Sequence, residues 1–543
     1  MGQLIKSYPI LSLCLFIGIL LLPNLNTLEV SIMEARNFIT AREMITDGHW
    51  LLTTMNGEAR YEKPPLPTWL SAISALIFGI KSVFGMRLPA VLMIMLLSAF
   101  VYKLSLKLEL SFNHSLRNGF ICATSFYVIG IIIEAPWDIY THAFMLVAIY
   151  YLFQVFDKLI VRSSHVLLAG LFIGLSFLSK GPISIYALLL PFLLAYAVSY
   201  KYRNFKNKWG AIVSIIISVL VIGGSWYVAV RTLDPETFHA ITEKETGNWT
   251  SYNVRPFYYY WSFFTQSGLW TIPAFISLLY PYLKSRVSNT KAYQLSFFWT
   301  IFAVVLLSVI PEKKSRYLMP VLIPLAFNIG FYIEYLINHF RALKKSEKLP
   351  VYFNFGLIAS IGILFPFLGY FMMKDNLEGY WINFVIASVV LFTLGVFLFY
   401  WLLKSDLSRV FIFTVLFFGF ALLTVIPLKE SLRSENYKPI SGLMEETEND
   451  ELNVYGFNSI SPEMIWQFGT KIPPLKSEDD TILFPSEERF GVLSNGMSPE
   501  DALYLKSIYD IEERATYDLN QVDPESRKYN GRLMSHFYIF TKK

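Results

Sequence analysis

Charge and cysteine are what this chain lacks. Of its 543 residues only 16% are charged, and only two are cysteine. Both, Cys14 and Cys122, lie inside apolar runs, which excludes a disulfide framework and offers no thiolate metal site. The formal net charge of +5 is small for this length and sits mostly in short loops, which suits membrane orientation and excludes a nucleic-acid footprint. What fills the space is apolar: 54% hydrophobic and 17% aromatic residues, with a mean hydropathy of +0.45. Apolar runs of spanning length recur along the chain, so it reads as a polytopic α-helical membrane protein.

The runs predict thirteen spans, near 8–26, 88–106, 117–134, 138–157, 164–179, 182–200, 209–230, 263–283, 292–310, 317–338, 352–373, 381–403 and 409–428. Counted in order, the basic connections 201–208, 284–291 and 341–348 fall on one side, which the positive-inside tendency makes cytoplasmic. Parity then decides the stretch from Trp69 to Ile80. As a full span it would put Lys103, Lys107 and Arg117 outside. It follows Pro64, Pro65 and Pro67 and is short, so it reads as an interfacial or re-entrant helix.

Residues 35–47 read similarly, with Ala35, Phe38, Ala41 and Ile45 on one face and Arg36, Thr40, Glu43 and Asp47 on the other. The expected organisation is a membrane domain over 1–428 with juxtamembrane helices on the outer surface within 27–65 and 66–84. A second outer loop covers 231–262, and a small soluble α/β domain at 429–543 also lies on the outer face. The first segment follows Lys6, lacks a small-residue cleavage site and reads as a retained anchor.

This topology leaves cations outside: Arg36, Arg42, Arg60, Lys63, Lys180, Arg255 and the run Lys313-Lys314-Ser315-Arg316. Short outer loops avoid such residues, so they call for an anionic partner, and a phosphate-bearing lipid head group fits both sign and place. For the 313–316 run, an inverted local topology or simple pairing with Glu312 is the plain alternative. Asp138, after Pro136, is at once an N-cap candidate and a site candidate. Lys180, in Ser179-Lys180-Gly181-Pro182, could simply snorkel. Glu62 and Lys63 precede a proline pair and lie near a second acid-bearing helix, which favours a site. His142 reads as a packing histidine, Tyr258 to Trp261 as an aromatic belt, and Glu243 and Glu245 as solvated charge.

In order, Glu34-Ala35-Arg36, Ala41-Arg42-Glu43-Met44, Asn56-Gly57, Tyr61-Glu62-Lys63-Pro64 and Phe84-Gly85-Met86-Arg87-Leu88-Pro89 resemble the aminoarabinose transferase (ArnT-like) and protein O-mannosyltransferase-like group of membrane glycosyltransferases with the GT-C fold. Ser179 to Pro182, Arg255 to Tyr259 and Arg316 to Pro320 continue the likeness over roughly three-quarters of the chain. The resemblance implies transfer of a sugar from a polyprenyl-phosphate-linked donor to a lipid A, glycan or protein acceptor. The place implied is the outer, periplasmic face of a bacterial cytoplasmic (inner) membrane, crossed many times. Inverting transfer needs a carboxylate to take the acceptor's proton and cations to hold the phosphate. The resemblance gives the carboxylate role first to Glu34, with Glu62 and Asp138 orienting an acceptor or lysine. It gives phosphate and lipid-donor binding to Lys63, Arg36, Lys180, Arg255 and Arg316.

Two positions depart from the pattern. Relatives commonly carry Asp-Glu where this chain has Met33-Glu34, so Glu34 stands in alone. Some relatives place a histidine before the Pro-Phe-Tyr-Tyr run, where this chain reads Ser251-Tyr252-Asn253-Val254. No bound metal and no cofactor are expected. The competing readings are a transporter or flippase of a lipid-linked anionic glycan, and a glycan polymerase or ligase. Transporters favour mid-membrane charges and internal repeats, and this sequence displays neither clearly.

Overall fold

A computed structural model describes residues 6–543 except 135, 203–204 and 477–480. Arg203 and Asn204, in one of the basic connections, therefore lie outside the described residues. Among those described, nine helices are long and apolar enough to cross a membrane, from Val83–Lys107 to Leu407–Leu432. The bent pair Phe112–Ala123 and Phe126–Glu134 makes a tenth if counted as one span.

These ten fall on ten of the thirteen expected spans, and the count of thirteen is not reproduced. The first apolar segment forms a helix of only 13 residues, Pro9–Leu21. The segment at 182–200 begins with a π-helical turn, Ile185–Leu189, before Leu190–Ser199. The 263–283 stretch breaks into Phe263–Trp270, Thr271–Ser277 and Tyr280–Leu283. Gly268 is the reason for that break: it sits at φ +66°, and a Cβ there would lie 2.6 Å from the Phe126 Cβ.

The chain divides into two compact units. The larger comprises 1–28, 61–70 and 87–428, and the smaller comprises 29–60, 71–86 and 429–543. In the larger unit Pro136–Asp157 and Ser315–Ala342 are central, with 89% and 83% of their apolar windows buried, whereas Trp209–Leu233 and Lys345–Asn376 are peripheral at 17% and 22%. A helix apolar all round and buried must be surrounded by other helices; one apolar and exposed faces lipid.

Glycines set the closest approaches. A Cβ at Gly395 would lie 2.7 Å from the Ala359 carbonyl oxygen and 2.9 Å from the Ile363 nitrogen, so Trp381–Leu403 meets Lys345–Met373 backbone to backbone. Gly395→Leu is expected to cost about 1–3 kcal/mol by overpacking this crossing, read as a fall in the thermal midpoint in detergent.

In the smaller unit, the C-terminal segment forms a four-stranded sheet of Val454–Phe457 (β3), Arg489–Ser494 (β4), Tyr509–Asp518 (β5) and Met534–Lys542 (β6), in the order β3-β4-β6-β5. The β3–β4 pair is parallel and the other two are antiparallel. A parallel pair needs a crossover, and the helix Pro462–Phe468 lies on it. Phe457, Phe490, Val492, Leu505 and Phe540 form the core. The chain nearer the N-terminus adds the hairpin of Thr54–Met55 (β1) and Glu58–Ala59 (β2).

The helix Ile32–Thr46, expected to lie on a membrane surface, is instead buried on nearly every side from Glu34 to Met44. Phe38 stacks edge-on against Trp466 at 5.2 Å. The Arg42 guanidinium donates to the Ile465, Trp466 and Thr470 carbonyls at 3.2 to 3.4 Å, satisfying the end of Pro462–Phe468, and burial lowers its pKa to about 10. The Glu43 carboxylate accepts the backbone N–H groups of Asn56 and Gly57 at 2.6 and 3.2 Å and the Thr54 hydroxyl at 2.5 Å. Asn56 and Gly57 both have positive φ, which makes their dipeptide the hairpin turn.

Amphipathicity identified the polar face correctly, but its partners are protein groups rather than water. The expected boundary at 428/429 thus separates the C-terminal segment from 29–60 and 71–86, with which it packs. Arg42→Ala, which takes the guanidinium from the Trp466 and Thr470 carbonyls, is expected to destabilise this unit by about 1–3 kcal/mol, measured by thermal unfolding.

Candidate functional site

Asp138 lies in the first turn of Pro136–Asp157, where a carboxylate suits the helix dipole, and Lys180 closes Ser163–Lys180, where a cation suits it. The two helices run in succession and pack together, so the start of one meets the end of the other, and Lys180 Nζ forms an ion pair with Asp138 Oδ1. Asp138 is 2% exposed, and its other oxygen, Oδ2, has no hydrogen-bond partner among the described residues. Gly181, at φ +72°, turns the chain away from the end of the helix.

A second element reaches the same place. The turn Ser315–Leu318 leads into Met319–His339, and three cations surround the Tyr317 ring: Lys180 at 5.4 Å, Lys314 at 5.7 Å and Arg316 at 5.8 Å from its centroid. Glu312 answers Lys314 at 2.6 Å and accepts the Tyr317 hydroxyl at 3.1 Å. Lys313 is buried and donates to the Ile310 and Arg255 carbonyls at 2.5 and 3.1 Å. Burial lowers its pKa. Of this basic run, Lys314 therefore has its carboxylate and Lys313 its carbonyls. Arg316, half-buried, has no carboxylate partner among the described residues. It also stands at a helix N-terminus, where the backbone favours an anion over a cation.

Lys63 lies within electrostatic range of Lys180, as does Arg316. Its ammonium pairs with Glu245 at 3.3 Å, with both side chains about one-third exposed. Glu245 belongs to Pro235–Ser251, and just before that helix Asp234 accepts the Tyr61 hydroxyl at 2.9 Å. Burial first, then Asp234, pushes the Tyr61 pKa up to about 12, so the phenol keeps its proton. Glu62 is exposed.

Arg255 is exposed, and its backbone is fastened to the 311–313 loop through its N–H to the Pro311 carbonyl at 3.2 Å. The aromatic run that follows is divided. Tyr260 is buried and exchanges hydrogen bonds with the Lys314 backbone, while Tyr258 and Trp261 are exposed.

The structure thus brings together Asp138, Lys180, Arg316 and Lys63. Glu34 and Arg36 belong to the smaller unit. Glu34, expected as the proton acceptor, is fully buried, and its carboxylate accepts the Ser31 N–H at 3.0 Å in a capping box. That arrangement places it to hold the helix start, not to meet an acceptor. Arg36 is half-buried, and its Nε has no hydrogen-bond partner among the described residues. Tyr317 and Glu245 are the partners that the sequence alone does not single out, Glu245 having read as solvated charge. Only Tyr317 carried a readable signal, as the aromatic next to the unexplained Arg316.

Residues 62–227 match the family described as dolichyl-phosphate-mannose-protein mannosyltransferase. The chain is 23% identical over 338 residues to an undecaprenyl phosphate-alpha-4-amino-4-deoxy-L-arabinose arabinosyl transferase of Erwinia tasmaniensis, covering 61% of this chain and 60% of that protein. It is 23% identical over 367 residues to a transferase of the same name from Sodalis glossinidius, covering 66% of this chain and 64% of that protein. The chain thus matches about three-fifths of the length of these curated relatives. In three dimensions it is similar to ArnT from Cupriavidus metallidurans, with a TM-score of 0.70 in the apo state and 0.68 bound to undecaprenyl phosphate. Those likenesses cover 98% or more of both chains at 14% identity. The fold is that of ArnT: a polytopic helical membrane protein of GT-C type carrying a small α/β domain.

Proposed function

We propose that this chain is a membrane glycosyltransferase that moves a sugar from a polyprenyl-phosphate donor to an envelope acceptor at the outer face of a bacterial cytoplasmic membrane. One observation carries the reading: three cations converge on the Tyr317 ring, and Arg316 among them has no carboxylate partner among the described residues. Such a cluster suits a phosphate monoanion or dianion at the end of a lipid.

As the sugar's bond to the phosphate breaks, negative charge grows on the departing oxygen. Arg316 and Lys180 are already in place to stabilise it. Asp138 holds Lys180 in position. Lys63 joins them when the phosphate takes the place of Glu245. Arg255, on the loop tied to the same turn, is a further phosphate contact in this reading, and Glu62 orients the acceptor. The cluster sits at helix ends and not in mid-span, which favours a lipid head-group enzyme over a transporter.

Mass spectrometry of envelope lipids and glycans from cells with and without the gene tests the reading. A single glycosyl increment present only with the gene is expected. Identical profiles accompanied by accumulation of an unflipped lipid-linked glycan would favour transport instead.

A further inference from the structure

With Glu34 occupied at its helix start, the acceptor's proton needs another destination. On the reading that the chain transfers a sugar from a polyprenyl phosphate, we infer that Glu134 is the group that takes it. Glu134 closes the helix Phe126–Glu134, and its exposed carboxylate accepts the Tyr127 hydroxyl at 2.5 Å, two turns back on the same helix. The helix Phe126–Glu134 packs against both Pro136–Asp157, which carries Asp138, and the turn Ser315–Leu318, which carries Arg316, so the pair borders the cation cluster.

Three other carboxylates near the cations are matched to ammonium groups: Asp138 to Lys180, Glu245 to Lys63 and Glu312 to Lys314. Glu134 alone of these four is held by a neutral phenol and has no cation partner among the described residues. A carboxylate so held is exposed to an incoming hydroxyl and is not neutralised by an ion pair. Tyr127 is the positioning residue that fixes its orientation.

In the step assigned here, the acceptor oxygen forms a bond to the sugar's anomeric carbon and its proton passes to the Glu134 carboxylate. The bond from that carbon to the phosphate oxygen breaks, and its electron pair leaves on the polyprenyl phosphate, beside Arg316 and Lys180. Atoms and charge balance with no further reactant.

The test uses purified full-length protein, a panel of polyprenyl-phosphate pentoses and hexoses, and an envelope lipid extract as acceptor. Glu134→Gln is expected to lower kcat by about 10²–10⁴-fold with donor KM unchanged. Retained binding of polyprenyl phosphate shows that this variant is folded. Glu134→Ala is expected to regain part of its rate with added formate, and Glu62→Ala is not. Tyr127→Phe lowers kcat less, again without a change in donor KM. An active wild type whose Glu134→Gln variant keeps the full rate, or formate rescue of Glu62→Ala in place of Glu134→Ala, overturns this inference and leaves the transfer reading standing. A wild type that releases no polyprenyl phosphate from any donor overturns both.

Discussion

Lys180→Ala is expected to lose both transfer and stability, and the two losses can be separated. Asp138 is almost wholly buried, its Oδ1 is paired with the Lys180 ammonium, and its Oδ2 has no hydrogen-bond partner among the described residues. Removing the ammonium leaves a carboxylate that must either keep an uncompensated charge or take up a proton. Breaking a buried pair from one side costs about 3–5 kcal/mol. The thermal midpoint should fall accordingly, and so should turnover. Asp138→Asn with Lys180→Met removes both charges at similar volume and is expected to restore most of the midpoint, because replacing a whole buried pair is often neutral. Activity should stay lost, since the leaving phosphate would still lack the lysine. A double variant that recovered turnover along with stability would mean that the pair only holds two helices together.

Arg316→Ala is expected to behave in the opposite way. The residue is half-buried and has no carboxylate partner among the described residues, so its removal should leave the thermal midpoint near wild type. Removing one preorganised group aimed at developing charge typically costs about 10²–10³-fold in rate. A fall of that size in kcat/KM is expected, together with weaker retention of polyprenyl phosphate. Arg316→Lys should recover only part, because a lysine keeps the charge but not the planar two-donor geometry that matches a phosphate. Turnover assays alongside thermal unfolding check both halves. An Arg316→Ala protein that unfolds early while retaining its specific activity would make Arg316 a structural residue.

Legibility of the fold followed from how each signal arises. Long apolar runs are spelled out residue by residue, so ten spans fell where expected. Missed were the places where one residue breaks a run: Gly268 in the 263–283 stretch, and the π-helical turn at Ile185–Leu189. The helix Ile32–Thr46 shows a different limit. Its amphipathic pattern states that one face is polar, but not whether water, lipid or a distant strand answers it. Here the answer came from Ile465, Trp466 and Thr470, more than 400 positions away in the chain.

The cations were legible as a group because positive charge is unexpected in short outer loops. Their separate roles were not. Lys313, Lys314 and Arg316 look alike in sequence, yet one binds carbonyls, one binds Glu312 and the third has no carboxylate partner among the described residues. Glu34 had a readable warning, since Ser31 three residues earlier completes the capping box that occupies it. The order of family motifs drew attention away from that local signal.

The most direct measurement is a single-turnover assay with purified protein, polyprenyl-phosphate sugars and an envelope lipid acceptor, following free polyprenyl phosphate and glycosylated acceptor by mass spectrometry. The account predicts that the two products appear together, one for one, only when acceptor is present, and that Arg316→Ala suppresses both. Polyprenyl phosphate released without a glycosylated product, or Arg316→Ala turning over at the wild-type rate, would contradict it.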